Sequence, residues 1–153
     1  MALSLSDLFR YTMNRKEEQL STIKEEVEMV NTYLEIEQIR FGDKMSFAID
    51  VDKSVENQQI SRFIIQPLVE NAIKHGISKI EGKGEILISV SKIQDGIKIA
   101  VSDNGPLFPE GLVSGYGLQG LYDLLNLIYG DKAKVNWQNT PKKQIIVTIP
   151  QSY

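Results

Sequence analysis

Glu70, Asn71, Lys74 and His75 bring a carboxylate, an amide, an ammonium and an imidazole into one short run of the chain. Wound as a helix at about 100° per residue, the segment from Gln66 to Ile77 puts these four side chains within an arc of roughly 140°. Leu68, Val69, Ala72, Ile73 and Ile77 take the rest of the circumference. The polar set suits a metal-bound polyphosphate. An Asn oxygen can ligate Mg²⁺, which accepts few protein ligands and keeps waters, and Lys and His can meet phosphate oxygens. A plain solvated helix face has the same make-up, so spacing alone leaves both readings open. His75 is the single histidine of the chain, which rules out a multi-histidine metal cluster.

A second candidate is Asp103. In the strand pattern Ile97 to Asp103, the residues Ile97, Ile99, Val101 and Asp103 fall on one side. A carboxylate at the end of a buried row must either pair internally or accept from a ligand N–H, and an adenine amino group is one such donor. Reaching water or capping the next turn would also satisfy it. Asn104 to Tyr116 follows, irregular and carrying Gly105, Pro106, Pro109, Gly111 and Gly115. Loops of this length inside a compact domain are usually functional. It opens through Gly115-Tyr116-Gly117-Leu118-Gln119-Gly120 into an apolar-periodic helix, and N–H groups at such a start attract phosphate. Those residues spell G-x-G-x-x-G, yet no strand precedes them and no carboxylate lies near Trp137 to Thr140, so a dinucleotide fold is excluded. No G-x-x-x-x-G-K-[ST] loop and no H-R-D or D-F-G element is present either.

These residues need a scaffold. The 153 residues, 42% hydrophobic and 24% charged, suit one globular core. A net charge of -3 disfavours a field-driven nucleic-acid or anionic-membrane binder. No cysteine is present, and no apolar run approaches the roughly 18 residues of a membrane span. Residues 4 to 42 lack proline and read as helix, short over about 4 to 18 and longer over about 22 to 41. Ser21 or Thr22 caps the second, Glu25 completes a capping box and Gly42 ends it. Its stripe of Ile23, Val27, Val30 and Leu34 packs either on the rest of this chain or in a helix-pair dimer. From Met45 the texture changes to strands at Ser46–Val51, Glu85–Ile93, Ile97–Asp103, Ala133–Trp137 and Gln144–Pro150. Helices over about 60 to 77 and 117 to 129 separate them, an α+β arrangement with a mixed sheet. Asp95-Gly96 signals a two-residue hairpin, and Thr140-Pro141 turns between the last two strands.

In combination, Pro67-Leu68-Val69-Glu70-Asn71-Ala72-Ile73-Lys74-His75-Gly76, Asp103-Asn104-Gly105 and Gly115-Tyr116-Gly117-Leu118 resemble the N box and two glycine boxes of the GHKL ATP-binding superfamily, in order and spacing. Leu5-Ser6-Asp7-Leu8-Phe9-Arg10-Tyr11 and Tyr33-Leu34-Glu35-Ile36-Glu37-Gln38-Ile39-Arg40-Phe41-Gly42 are similar to the LytS-like branch of sensor histidine kinases. The resemblance implies a Bergerat-type two-layer α/β sandwich with a mixed sheet, preceded by N-terminal helices. It divides the chain into residues 1–42, the tail of a helical dimerisation and phosphotransfer region, and 43–153, an ATP-binding catalytic domain.

It also implies roles. Asn71 ligates Mg²⁺, Glu70 orients the metal's waters or acts as a base, and Lys74 and His75 contact phosphate. Asp103 accepts from the adenine amino group, Gly105 allows close approach to the base, and 104 to 116 forms a lid. Gly115, Gly117 and Leu118 belong to the phosphate cradle. The expected activity is transfer of the ATP γ-phosphoryl to a histidine upstream of this chain, since His75 lies in the nucleotide site and the family's Pro-His-Phe-type acceptor segment does not occur here. Expected partners are ATP, a second copy through the N-terminal helices of the full-length protein, and a response-regulator receiver domain, without nucleic acid or membrane contact by this portion. The domain is expected to be cytoplasmic, with room for a membrane anchor elsewhere in its parent.

Several positions depart from the pattern. Pro106-Leu107 replaces a glycine that is common in the first box, which stiffens the lid, and Gly120 and Leu124 stand where Asn and Arg are frequent. Pro67 replaces the glutamate that related ATPases carry one turn before the metal-binding Asn, so efficient hydrolysis by water is not expected. An acceptor-less nucleotide-binding regulator of the same fold, or a non-nucleotide interaction domain, fits the same residues.

Overall fold

The computed structural model describes residues 20–109 and 118–151. The first element is β1 (Leu20–Thr22), which runs into helix α1 (Ile23–Phe41). Thr22 caps that helix: its Oγ1 accepts from Glu25 N at 3.1 Å, and Thr22 N donates to Glu25 Oε1 at 3.0 Å, closing the predicted box. Gly42 ends it at φ 62°, a left-handed conformation that favours glycine, with its N–H on Gln38 O. The predicted helix over 4 to 18 lies outside the described residues.

Strands β2 (Met45–Val51), β4 (Gly84–Ile93), β5 (Gly96–Asp103), β6 (Lys134–Gln138) and β7 (Gln144–Pro150) form one sheet in the order β2-β4-β5-β7-β6. The β2–β4 pair is parallel and the other three are antiparallel, which is the expected mixed sheet. Period-2 alternation puts Ile86, Ile88 and Val90, Ile97, Ile99 and Val101, and Ile145, Val147 and Ile149 in the buried core. Helices α2 (Ile65–Asn71) and α3 (Gln119–Tyr129) join them there through Leu68, Val69, Leu121 and Leu125. Ile23, Val30 and Leu34 of α1 lie in the same core, so that stripe packs on the rest of this chain.

Three local readings are corrected. Gln59–Ser61 is strand, here β3, paired antiparallel with β1, and α2 begins only at Ile65. After Asn71 the helix widens into a π turn over Ala72–Gly76 and then a 3₁₀ turn over Ile77–Lys79. In the β4–β5 hairpin Ile93 pairs with Gly96, so the two loop residues are Gln94 and Asp95, and Asp95 takes the left-handed conformation at φ 64°.

Phe63, at φ 65°, breaks the chain between β3 and α2 without a glycine. Buried Glu26 of α1 holds this turn: its Oε1 accepts from Phe63 N at 2.7 Å and its Oε2 from Ser21 Oγ at 2.8 Å. Burial raises the Glu26 pKa above the usual carboxylate range, opposed by the hydrogen bonds from Phe63 and Ser21 and by the Arg62 charge. A raised folded-state pKa means the native chain binds that proton more tightly than the unfolded one. This contribution is therefore full below the ordinary carboxylate range and is lost as pH rises through the raised value. Glu26→Gln is expected to remove that loss, giving a flatter stability profile than wild type from about pH 4 upward in urea melts. Glu26→Ala, which deletes both acceptors, should cost about 1–3 kcal/mol. A Gln variant with the wild-type slope would refute this assignment.

Candidate functional site

The site is built where α2 runs past its π turn and meets the end of β5. Asn71 is the last α-helical residue and is buried, 5% exposed, whereas Glu70 and Lys74 are solvent-accessible and His75 is intermediate. Of the expected polar face, the amide thus points into the protein and the two charges outward. Insertion of an i→i+5 turn directly after Asn71 departs from the uniform winding assumed from sequence, and such turns frequently mark functional positions.

Gly76 ends that turn against Asp103. A Cβ on Gly76 would sit 2.4 Å from Asp103 Oδ1 and 3.0 Å from Oδ2. One on Gly105 would sit 2.4 Å from Gly76 Cα and 2.6 Å from its carbonyl carbon. The three residues therefore close on one another as only glycines permit, and the N-box helix is seated on the carboxylate. Asp103 Oδ1 accepts from Gly105 N at 2.8 Å, an Asx-type turn that starts the loop. Asn104 pins the same turn, its Oδ1 accepting from Glu85 N at 2.8 Å and its Nδ2 donating to Lys83 O at 2.9 Å.

Asp103 is buried, as parity predicts, and it has an internal partner. Lys143 Nζ donates to Asp103 Oδ1 at 2.6 Å, with the two side chains 6% and 4% exposed. The same ammonium lies 4.6 Å from the centre of the Phe108 ring, a cation–π contact. Phe108 packs edge-on against Trp137 at 5.9 Å, and Asn139 brackets its backbone, accepting from Phe108 N at 2.8 Å and donating to Phe108 O at 3.0 Å. The first residues of the expected lid are thus fastened to the β6–β7 connection.

The surroundings of His75 are cationic. Burial, then Lys74, Lys79 and Lys143, hold the His75 imidazole below its ordinary pKa. Desolvation raises the Glu70 carboxyl, opposed by the Gln66 amide beside it. Gln66 Oε1 is itself buried and meets no donor among the described residues. Tyr33 of α1 also lies close, its hydroxyl pKa pushed up by burial and then by Glu37 and Glu70.

The structure thus joins Gly76, Asp103 and Gly105 directly and carries Glu70, Asn71, Lys74 and His75 on the helix that ends there. The Leu118 side chain is fully buried in the apolar core at the start of α3, and its carbonyl accepts from Tyr122 N. Gly115 and Gly117, with most of the expected lid, lie outside the described residues. Lys143, Phe108 and Asn139 were not among the residues singled out from sequence. The signal for Lys143 was present: it shares the period-2 row of Ile145, Val147 and Ile149. No group of three His, Cys, Asp or Glu side chains that could cage a metal exists among the described residues. An amide oxygen such as that of Asn71 has the chemistry of a hard-cation ligand.

The family model described as histidine kinase-, DNA gyrase B-, and HSP90-like ATPase matches residues 56–152. The chain belongs to this ATPase family. Residues 1–45 match the histidine kinase family model. The sensor histidine kinase YpdA of Escherichia coli (strain K12) is 35% identical over 98% of this chain and 28% of its own length. The sensor protein LytS of Oceanobacillus iheyensis is 31% identical over 94% of this chain and 27% of its own, in line with the LytS-like resemblance. The chain therefore spans less than a third of these relatives. Among solved structures, the catalytic domain of histidine kinase ThkA superposes with a TM-score of 0.67 at 19% identity, over 87% of this chain and 96% of that one. ThkA in complex with the response regulator TrrA superposes with a TM-score of 0.66 at 17% identity, over 97% of this chain and 46% of that one. These likenesses establish the histidine-kinase catalytic-domain fold, and membership of the ATPase family implies ATP binding. No helix among the described residues is long and apolar enough to cross a membrane.

Proposed function

We propose that this chain supplies the ATP-binding catalytic domain of a two-component sensor histidine kinase, transferring the γ-phosphoryl of ATP to a histidine outside residues 1–153. The observation that carries the reading is the closure of Gly76 and Gly105 on Asp103 at the end of the helix bearing Asn71, Lys74 and His75. A buried carboxylate next to the helix of Asn71, Lys74 and His75 supports a site with a base end and a phosphate end, the two ends a nucleotide needs.

Asp103 accepts from the adenine amino group, and Gly105 keeps the chain out of the base's way. Lys74 and His75 contact phosphate oxygens, with Gly115, Gly117 and the backbone at Leu118 forming the rest of the cradle. Mg²⁺ on the Asn71 oxygen would supply charge neutralisation of the phosphates. Glu70, with its carboxyl partly desolvated beside Tyr33 of α1, orients water around that metal or serves as a base. Catalysis is then positioning and electrostatics, with the acceptor nitrogen brought in line with the γ-phosphorus. His75 is the sole histidine and sits at the nucleotide site, so the acceptor comes from another segment.

Residues 1–42 act as the tail of the dimerisation and phosphotransfer helices and 43–153 as the catalytic domain, a division that the separate family matches to 1–45 and 56–152 support. In the full-length protein a second copy, through the N-terminal helices, and a response-regulator receiver domain are the partners, and the domain works in the cytoplasm.

The direct test is calorimetric titration with a non-hydrolysable ATP analogue, with and without Mg²⁺, followed by phosphorylation of an added histidine-bearing helical fragment. Saturable Mg²⁺-dependent binding and label on that histidine are expected. Binding without transfer would favour an acceptor-less regulator, and no binding by the folded chain would favour an interaction domain. Asp103→Asn is expected to weaken adenine nucleotides by about 10- to 100-fold, the worth of a charged hydrogen bond, while guanine nucleotides change little. An equal loss for both bases, with the melting temperature preserved, would remove Asp103 from base recognition.

A further inference from the structure

Lys143 and Asp103 place a donor beside an acceptor that the described fold uses only in part. Ser102 pairs with Gln144 in the β5–β7 ladder, so the next antiparallel step sets Asp103 opposite Lys143 on the same buried face. The ion pair is therefore built into the sheet register. Its atoms are unevenly used. Asp103 Oδ1 takes both hydrogen bonds, from Lys143 Nζ at 2.6 Å and Gly105 N at 2.8 Å, and Oδ2 receives none among the described residues. An ammonium has three N–H donors, and among the described residues Lys143 spends one, on Oδ1, while Phe108 covers another side of it through its ring face. Both side chains are nearly enclosed, 6% and 4% exposed, yet Oδ2 is not sealed from solvent, since Gln66 Oε1 alone among the described residues is a buried side-chain polar atom without a partner. Next to each other they form an acceptor–donor edge.

We infer that Lys143 is a second base-reading residue: with Asp103 Oδ2 accepting from the exocyclic amino group of a 6-aminopurine, Lys143 Nζ donates to the adjacent ring nitrogen, N1. The inference rests on the nucleotide reading above and deepens it. A carboxylate alone reads only the amino group, whereas the pair reads two neighbouring atoms of one edge. Lys143 is also fixed for this task, since Phe108 is held by Asn139 on both backbone groups and by Trp137 at its ring.

The test compares Mg²⁺·ADP with Mg²⁺·1-deaza-ADP, in which N1 is a C–H, by calorimetry on the intact chain and on Lys143→Met. Wild type is expected to bind the analogue about 10- to 100-fold more weakly than ADP, the value of one hydrogen bond to a charged donor. Lys143→Met should bind ADP about as weakly as wild type binds the analogue, and should no longer distinguish the two. Equal binding of both ligands by wild type overturns the inference, even if the Met variant fails to fold. So does a Met variant that keeps the discrimination, or one that binds ADP more tightly, which would make Lys143 a resident competitor of the base. A folded wild-type chain that binds neither ligand marks a failure of the nucleotide reading itself, and the inference falls with it.

Discussion

Gly105→Ala is expected to lower ADP affinity by about 100-fold and to destabilise the chain by about 1–3 kcal/mol, the usual range for overpacking. The reason is the identity of the atoms in the way. The new Cβ would lie 2.4 Å from Gly76 Cα and 2.6 Å from both its carbonyl carbon and oxygen, all of them backbone. No side chain can rotate to make room. Nor can the loop retreat freely, because Asn104 is bonded to both Glu85 N and Lys83 O and the Gly105 N–H is committed to Asp103. Relief therefore requires the Gly76 turn to leave Asp103, which pulls the helix of Asn71, Lys74 and His75 away from the base end of the site. Gly82→Ala is the control, since its Cβ would meet nothing within 4 Å. Calorimetry and a thermal melt on both variants decide the matter: a Gly105→Ala chain that binds ADP like wild type would mean that this contact does not shape the nucleotide site.

What could be read from the sequence follows the range of the interactions involved. The capping box of Thr22 and Glu25, the left-handed Gly42 and the alternation of the five sheet strands are local, and each lies where the residues put it. The burial of Asp103 follows from the same alternation. The identical count applies to Lys143, yet a lysine beside Lys142 after a turn reads as a solvated charge until the register with β5 is known. Strand β3 reads as the start of the helix over about 60 to 77; what makes Gln59–Ser61 strand is pairing with Leu20–Thr22, far away in the chain. The Phe63 turn is equally silent, being imposed on a non-glycine residue by a carboxylate from α1. The π turn that follows Asn71 has no compositional mark at all. The helix stripe of α1 had two possible covers, and only the shared core chooses between them.

The second large effect expected is on the metal. Asn71→Ala should abolish the Mg²⁺-dependent part of ATP binding, a loss of at least about 10- to 100-fold given that even residues behind a metal ligand cost that much. The argument begins from burial. An amide 5% exposed at the last α-helical position is set in the protein, and deleting it cannot be compensated by a neighbour, because Glu70 and Lys74 point to solvent and no acidic cluster exists among the described residues. A carboxylate-rich cage would survive loss of one ligand; a single amide that holds a cation shared with phosphate oxygens would not. The readout separates this role from a structural one. Wild type should tighten on ATP when Mg²⁺ replaces a chelator, whereas Asn71→Ala should bind with the same weak affinity in both. A merely destabilised variant would lose affinity in parallel under the two conditions and keep their ratio. Retention of the wild-type ratio would take the metal away from Asn71 and leave Glu70 as the next oxygen ligand to test on this helix.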